Sequence, residues 1–266
     1  MSGQPTVFAA EFPPGTDSFE FDSLIPALRD TAAATLVTKI TLLVWIAVAA
    51  LIIFFLVAYR DPKIVPTRAQ WMAESLYGAI RDGVCREVIG REGVRFAPYL
   101  TTLFCFILLT NLFGIIPFAQ ISPNSHIAFP AVLAVITYVV YIWLGIKKHG
   151  FFGYLKMSTI PPGTPILLLP IMIPIEFIQN LIMRPVTLAV RLFANMFAGH
   201  MVLLVFILGG VALFEAENFL LRPVSLLSWA TAIAMTFFEL VVQILQAYVF
   251  TLLTATYIQS SIAEEH

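Results

Sequence analysis

The stretch that decides the fold class covers residues 223–262 and reads PVSLLSWATAIAMTFFELVVQILQAYVFTLLTATYIQSSI. It contains one charged side chain, Glu239, and no proline after its first position. A helix crosses the bilayer core with about 20 apolar residues. The stretch does not alternate between apolar and polar residues, as a half-buried strand would. It therefore predicts a membrane helix about twice as long as one crossing needs.

The rest of the chain has the same character. Of its 266 residues, 59% are hydrophobic and 12% are charged, whereas soluble domains carry about 25% charged residues. The net charge of −1 provides no basic surface for nucleic acid. The sequence contains neither GxxxxGK nor GxGxxG, so we expect no directly bound nucleotide. Its two cysteines form no zinc motif, and we expect neither a metal nor a cofactor.

Five apolar stretches predict an all-α polytopic membrane protein with a single membrane domain at residues 36–266. The predicted spans cover about residues 40–58, 96–119, 127–146, 166–214 and 223–262. The segment 66–92 has an apolar residue at every fourth position from Met72 to Val88, with charges between them. It indicates an amphipathic helix that lies either on the membrane surface or against a partner protein.

Lysine and arginine residues favour the cytoplasmic side of a membrane. Ten of them lie in residues 60–95 and in the predicted loop 147–156, and three lie in segments on the opposite side. This distribution predicts that the N-terminal segment 1–35 is extracytoplasmic and that the C-terminus is cytoplasmic. The acidic residues of the first thirty positions do not fit a signal or transit peptide. We expect a bacterial plasma membrane, with the mitochondrial inner membrane as the alternative.

The fourth and fifth spans are too long for upright helices. About 38–40 residues of helix extend about 57–60 Å, whereas the hydrocarbon core is about 30 Å thick. Pro170, Pro174 and Pro185 can kink the fourth span. The fifth span has no proline after Pro223, so we expect it to lie strongly oblique. Together the two spans predict a slanting hairpin that can cradle a curved partner surface.

A file of polar side chains follows one face of the fifth span. Helical spacing places on this face Glu239, Gln243, Gln246 and Phe250, with Ser228 and Tyr257 extending it at either end. Such a file can hold water, and Glu239 adds a titratable group. The alternative is a structural hydrogen-bonding seam between two helices.

The fourth span carries Arg191 among apolar residues. An arginine stays protonated at any accessible pH, so it is a fixed positive charge and no proton carrier. Asn195 lies one turn later on the same face, and His200 lies farther along the helix. Glu176 precedes Arg191 by about four turns. With Glu176 on the cytoplasmic side and His200 and Glu239 on the outer side, the spacing predicts two half-paths separated by a positive barrier.

Three regions of the sequence resemble the a subunit of F-type ATP synthases. They are RPVTLAVRLFANMFAGH at residues 184–200, LQAYVFTLL at 245–253, and TNLFGIIP at 110–117 followed by SPNSH at 122–126. The resemblance covers about residues 36–262. It implies a non-catalytic stator subunit beside a ring of c subunits that each carry a membrane carboxylate. Protons would reach and leave this ring through two half-channels, and ATP chemistry would belong to other subunits.

The resemblance also implies roles for single residues. Arg191 corresponds to the arginine that separates the half-channels and engages the ring carboxylate. The outer path would be lined by Asn195, His200, Glu239 and Gln246, and the inner path would contain Glu176. In many bacterial relatives the acid and the histidine are exchanged between the positions of His200 and Glu239, which implies that these positions face one another. The implied partners include b-type stalk subunits, for which segments 66–92 and 147–156 are candidate contacts.

Two other functions remain compatible with single features. A stand-alone secondary transporter could bind an anionic substrate through Glu176, Arg191 and Glu239, although such folds usually contain internal repeats that this sequence lacks. An intramembrane hydrolase is disfavoured because the four histidines are scattered and neither HExxH nor GxSxG occurs. Arg184 is a further charged residue of the fourth span. The alternative to a functional role is that its guanidinium extends to the lipid headgroups.

Overall fold

The structure of the chain, a computed structural model, describes residues 38–116, 121–159, 169–215 and 221–263. Every regular element within these ranges is helical, and five helices are long and apolar enough to cross a membrane. The α-helices are α1 (Lys39–Ala58), α2 (Arg68–Ile80), α3 (Ala97–Leu112), α4 (Ala128–Thr159), α5 (Leu169–Phe177), α6 (Arg184–Glu215) and α7 (Arg222–Ile262). The predicted all-α polytopic class is confirmed. The predicted outer segment 1–35 and the C-terminal residues 264–266 lie outside the described residues.

The outer surface of the helices is apolar over most of its length. Trp45, Ile53 and Leu56 of α1 are each more than half exposed, and so are Phe237 and Phe238 of α7. In water, apolar surface on this scale would drive association. In a bilayer it contacts lipid chains that are as apolar as the side chains.

The predicted amphipathic segment 66–92 consists mainly of α2 and a first π segment, Arg81–Ile89. Three of its buried side chains, those of Ile80, Val84 and Cys85, belong to the same apolar cluster as residues of α3 and α7. Met72, which the spacing predicts on the buried face, is 48% exposed, whereas Gln70 and Ala73 are 4% and 0% exposed. The covered face at the start of α2 is therefore that of Gln70 and Ala73, and Met72 lies about 100° from Ala73 around the helix.

Helix α4 extends beyond the predicted third span 127–146. It continues to Thr159 and changes direction at Gly150, where φ is 74° and ψ is 166°. Glycine adopts a positive φ without the steric cost that other residues incur. The predicted loop 147–156 is therefore wrong, because its lysines are helical on both sides of this change of direction. The sequence offers no proline here that would end the helix.

Contacts to the core hold the end of α4. The Lys148 Nζ donates a hydrogen bond of 2.8 Å to the backbone oxygen of Ile262 in the last turn of α7. A cation at a helix C-terminus also favours the negative end of the helix dipole. After Gly150 the chain folds back so that the Tyr154 ring packs against Gly145, where a Cβ atom would collide with it.

The last two spans are long, as predicted. One continuous helical segment, Leu169–Glu215, combines α5, a second π segment (Ile178–Met183) and α6. Helix α7 is unbroken over 41 residues, which corresponds to about 60 Å at the α-helical rise. Pro174 lies inside α5, whereas Pro185 directly follows the turn in which α-helical hydrogen bonding gives way to π pairing.

Helices α6 and α7 form the predicted antiparallel hairpin. Three contacts define its register from one end to the other, and they pair Arg184 with Ser260, Gly199 with Glu239, and Phe206 with Ser228. The numbers rise along α6 as they fall along α7. The oblique placement of this hairpin in a bilayer remains a prediction from its length.

Candidate functional site

Glu239 is buried where α7 faces α6, with 5% of its surface exposed. Its Oε1 accepts a hydrogen bond of 3.3 Å from the Gln243 Nε2. Its Oε2 is buried and has no hydrogen-bond partner among the described residues. Buried polar atoms normally find a partner, so an unpaired carboxyl oxygen here indicates a place for a proton, a water molecule or another donor.

Gly199 is the residue of α6 that meets this carboxyl group. A Cβ atom on Gly199 would lie 3.4 Å from both the Cδ and the Oε1 of Glu239. His200, which the sequence places opposite Glu239, is the next residue and makes no hydrogen bond to Glu239. The residue of α6 in van der Waals contact with the Glu239 carboxyl group is thus Gly199, one residue before His200, and the expectation that His200 and Glu239 face one another stays a prediction.

A groove of about 340 Å³ opens beside Glu239. Its lining combines two polar side chains with small and apolar ones: Asn195, Ala198, Gly199, Val202, Met235, Phe238, Glu239 and Val242. The structure thus brings the predicted residues Asn195 and Glu239 to one opening, while His200 is outside the lining. The groove leads from the outer surface of the hairpin to the buried carboxyl group.

A hydrogen-bonded network extends from α7 to α3. The Asn111 Nδ2 donates to the backbone oxygen of Gln243 at 3.2 Å. The Asn124 Nδ2 in turn donates to the Asn111 Oδ1 and to the Thr110 Oγ1, both at 2.8 Å. Sequence reasoning named Gln243 but assigned no role to the other three. Their signal was present in the motifs at 110–117 and 122–126, which carried the resemblance without a stated function.

We call this region the Glu239 cluster; it consists of Glu239, Gln243, Asn111, Asn124 and Asn195. Besides the free Glu239 oxygen, it contains a second buried atom without a hydrogen-bond partner in the described chain, the Gln243 Oε1. Both atoms accept hydrogen bonds, so they suit bound water or a transferable proton.

A second polar region lies near the other end of the hairpin. The Asn180 Nδ2 donates to the Glu176 Oε2 at 3.1 Å and to the backbone oxygen of Ser158 at 2.6 Å. The Tyr141 hydroxyl donates to the backbone oxygen of Asn180 at 3.4 Å. Glu176 is half-buried and thus has an amide donor beside it. This arrangement connects α5 to α4.

Arg184 closes the same region against α7. Its Nη1 donates to the Ser260 Oγ at 3.0 Å, and its Cζ lies 5.1 Å from the centroid of the Tyr257 ring. A guanidinium over an aromatic face gains a cation–π attraction. A cavity of about 120 Å³ is lined by Tyr154, Met157, Ser158, Asn180, Arg184, Ser260 and Ser261. We call this region the Glu176 cluster; its polar members are Glu176, Asn180, Arg184, Tyr257 and Ser260.

Three residues of the predicted polar file have different surroundings. Tyr257 belongs to the Glu176 cluster rather than to the groove at Glu239. Ser228 donates from its Oγ to the backbone oxygen of Phe206 at 2.7 Å, which fits the seam interpretation for this residue. Gln246 is half-buried, and its side chain makes no hydrogen bond within the described ranges. Along the hairpin it lies between the Gly199–Glu239 contact and the Arg184–Ser260 contact, at about the level of Asn195.

Arg191 lies between the two clusters and joins neither. It is exposed, and its guanidinium has no hydrogen bond or ion pair with the described part of the chain. Arg184 precedes it by about 10 Å along the helix and Gly199 follows it by about 12 Å. Ala194 and Ala198 are exposed on the same side of α6, so a partner helix can approach closely. Among the described residues no group of His, Cys, Asp and Glu could hold a metal ion.

The chain is similar in sequence to known proteins over most of its length. The family described as ATP synthase A chain matches residues 41–259. A relative from Nocardioides sp. is 46% identical over 86% of this chain and 83% of its own length. Another, from Pseudarthrobacter chlorophenolicus, is 42% identical over 98% of both chains. A third, from Streptomyces lividans, is 44% identical over 95% of this chain and 88% of its own.

All three relatives are named ATP synthase subunit a, and the sources of all three are bacteria. These similarities extend over nearly the whole membrane part of the chain, and they do not favour a stand-alone transporter. The five apolar helices, the exposed arginine and the matched residues lead to one assignment: the chain belongs to the ATP synthase A chain family.

Proposed function

We propose that the chain is the proton-translocating stator subunit of a rotary F-type ATP synthase and provides two offset half-channels separated by Arg191. The observation that carries this proposal is the exposed guanidinium of Arg191, which has no partner among the described residues and lies between two separate polar clusters. Its partner would be a ring of c subunits, each bearing one carboxyl group at membrane depth. The chain itself would be non-catalytic, and ATP chemistry would lie on other subunits.

The surroundings of Arg191 support a carboxylate partner. A charged side chain at the centre of a bilayer costs about 2.5 kcal/mol or more. Val190 and Ala194 beside it are exposed and apolar, so neither can offset this cost. A carboxylate that arrives on a neighbouring subunit can offset it, because opposite charges attract strongly where water is scarce. The carboxyl group would release its proton to one half-channel near Arg191 and take up a proton from the other half-channel before it moves back into lipid.

The two clusters support separate routes to and from this carboxyl group. The Glu239 cluster opens through its groove and has two buried oxygen atoms without partners in the described residues. The Glu176 cluster contains a polar cavity on the other side of Arg191. Because Arg191 repels protons carried by water, it would hinder direct passage between the clusters. Protons would instead cross on the ring, driven by about 2.3 kcal/mol per charge per 100 mV.

The orientation and further contacts follow from the distribution of lysine and arginine. The side that carries residues 60–95 would face the cytoplasm of a bacterium. The Glu176 cluster would then be the cytoplasmic half-path, and the Glu239 cluster the outer one. The first π segment and the end of α4 lie on the cytoplasmic side in this orientation. We propose them as contacts for b-type stalk subunits.

Replacement Arg191→Ala in the complete enzyme tests the proposal. We expect ATP-driven proton pumping in inverted membrane vesicles to be lost, because the ring carboxylate loses its partner. We also expect passive proton leakage to rise, since the barrier between the half-paths is removed. The matched control is Arg222→Ala, which removes an equal charge at the start of α7, outside both clusters, and should leave most of the pumping. Tightly coupled pumping by the assembled Arg191→Ala enzyme would contradict the proposed function.

A further inference from the structure

The second π segment, Ile178–Met183, lies between Glu176 and Arg184. At its end the Arg184 amide donates to the backbone oxygen of Gln179, five residues earlier. An α-helix pairs each amide with the oxygen four residues earlier, so this bond belongs to a wider turn. One such turn fits about one more residue into the same length of helix. The segment therefore contains about one residue more than a regular α-helix of the same length.

Pro185 gives a physical reason for the position of this turn. It has no amide hydrogen, and in a regular α-helix its ring would collide with the carbonyl oxygen of Leu181. A wider turn immediately before Pro185 relieves this crowding. None of the six residues of the π segment is buried. The extra residue therefore costs no packing in the core.

The insertion changes which residues share a helix face. In an unbroken α-helix, eight residues at about 100° each would place Glu176 about 80° away from Arg184. If the π turn accommodates one of these residues without adding rotation, only seven residues contribute about 100° each. The angle between Glu176 and Arg184 then falls to about 20°.

The contacts agree with the smaller angle. Asn180 bonds to Glu176 and to Ser158, and Asn180, Ser158 and Arg184 line the same cavity. Glu176 itself is not in the cavity lining and reaches it through Asn180; a rotation by about 100°, the equivalent of one residue, would direct both side chains away from Ser158 and Arg184.

We propose that the second π segment preserves the helix register: its wide turn accommodates one extra residue while Glu176 stays on the helix face of Arg184. The extra residue is dispensable for this alignment, because its removal converts the wide turn into an ordinary α-helical turn without rotating α5. The register is a matter of helix geometry. Its consequence for proton transport rests on the proposed function.

Two single-residue deletions in the complete enzyme distinguish this proposal from an ordinary helix. Deletion of Ile182, which is 49% exposed, removes a residue from the π segment. We expect it to change ATP-driven proton pumping by less than about twofold. Deletion of Val186, which is 47% exposed, is the matched control in the α-helical part. It rotates everything before it by about 100° and should lower pumping by about a hundredfold.

Cross-linking measures the register without reference to transport. In a chain with Cys85→Ala and Cys105→Ala, the pair Asn180→Cys and Ser158→Cys can be bridged in membranes with a short thiol-reactive reagent. We expect bridging in the parent and after deletion of Ile182, and a loss of bridging after deletion of Val186. If deletion of Ile182 abolishes the bridge, or prevents the chain from accumulating in membranes, the register proposal is overturned. A retained bridge with lost pumping in the Ile182 deletion would overturn only the claim that the register serves transport.

Discussion

The acidic residues of the two polar clusters differ in burial and in hydrogen bonding. Glu239 is buried, and one of its oxygen atoms has no partner in the described chain. Glu176 is half-buried and accepts from Asn180 beside a polar cavity. A fixed charge, Arg184, belongs to the Glu176 cluster, whereas the Glu239 cluster contains no basic side chain. Under the proposed function, this difference predicts that the Glu239 carboxyl group itself transfers the proton, while the Glu176 cluster can rely on water and neighbouring donors.

The largest expected effect comes from Glu239→Gln compared with Glu176→Gln. Glutamine retains the size and hydrogen-bonding capacity of the side chain but cannot exchange a proton. We expect Glu239→Gln to lower proton pumping by about a hundredfold, as removal of a positioned acid or base does. We expect Glu176→Gln to lower it by less than about tenfold, because nearby water can substitute for an accessible acid. Equal losses in vesicles with equal enzyme content would contradict the contrast between the clusters.

A substitution series at Gly199 sharpens the same contrast. Its Cβ position is in van der Waals contact with the Glu239 carboxyl group, so Gly199→Ala should be tolerated. Gly199→Val would crowd the carboxyl group and cost about 1–3 kcal/mol through overpacking. We expect pumping to fall in the order glycine, alanine, valine, with no change in the amount of assembled enzyme. Full activity of Gly199→Val would indicate that the groove is not part of the path.

The smallest effect concerns stability at the Glu239 cluster. Asn124→Ala removes the donor to Thr110 and Asn111, and leaves two buried acceptors without it. We expect a loss of about 1–3 kcal/mol in stability, measured as a lower unfolding temperature of the detergent-solubilised enzyme. The control is Thr102→Ala, whose hydroxyl bonds only to the backbone of its own helix at an exposed position. An unchanged unfolding temperature for Asn124→Ala would show that the hydrogen bonds from Asn124 to α3 do not stabilise the enzyme.

Much of the fold was predictable because lipid imposes a simple composition on spans. The 41-residue length of α7 followed from a sequence without internal proline or clustered charge. The end of α4 was not predictable in this way, because lysines 147, 148 and 156 suggested a loop, whereas they lie in helix on the two sides of the kink at Gly150. Charge indicates which side of a membrane a residue prefers, but not whether its backbone is helical.

The identities of the site residues were easier to predict than the neighbours that their side chains face. Arg191 and Glu239 were identified because charges are costly in an apolar stretch. The contact between Glu239 and Gly199 depends on the rotation of two packed helices, which one sequence does not determine. The second π segment was not predictable for a related reason, since Ile178–Met183 has no regular spacing of apolar residues that an extra residue would disturb.

The hydrogen bonds at the two ends of the hairpin have a mechanical consequence. Near one end, Lys148 holds Ile262 and Arg184 holds Ser260; toward the other, Ser228 holds Phe206. Between them, α6 and α7 act as a beam supported at both ends, with Arg191 about a third of the way from Arg184 to Phe206. A rotating partner that pulls on Arg191 would load this beam sideways. The stiffness of the supports would then set how far the arginine moves before the torque is carried by the rest of the subunit.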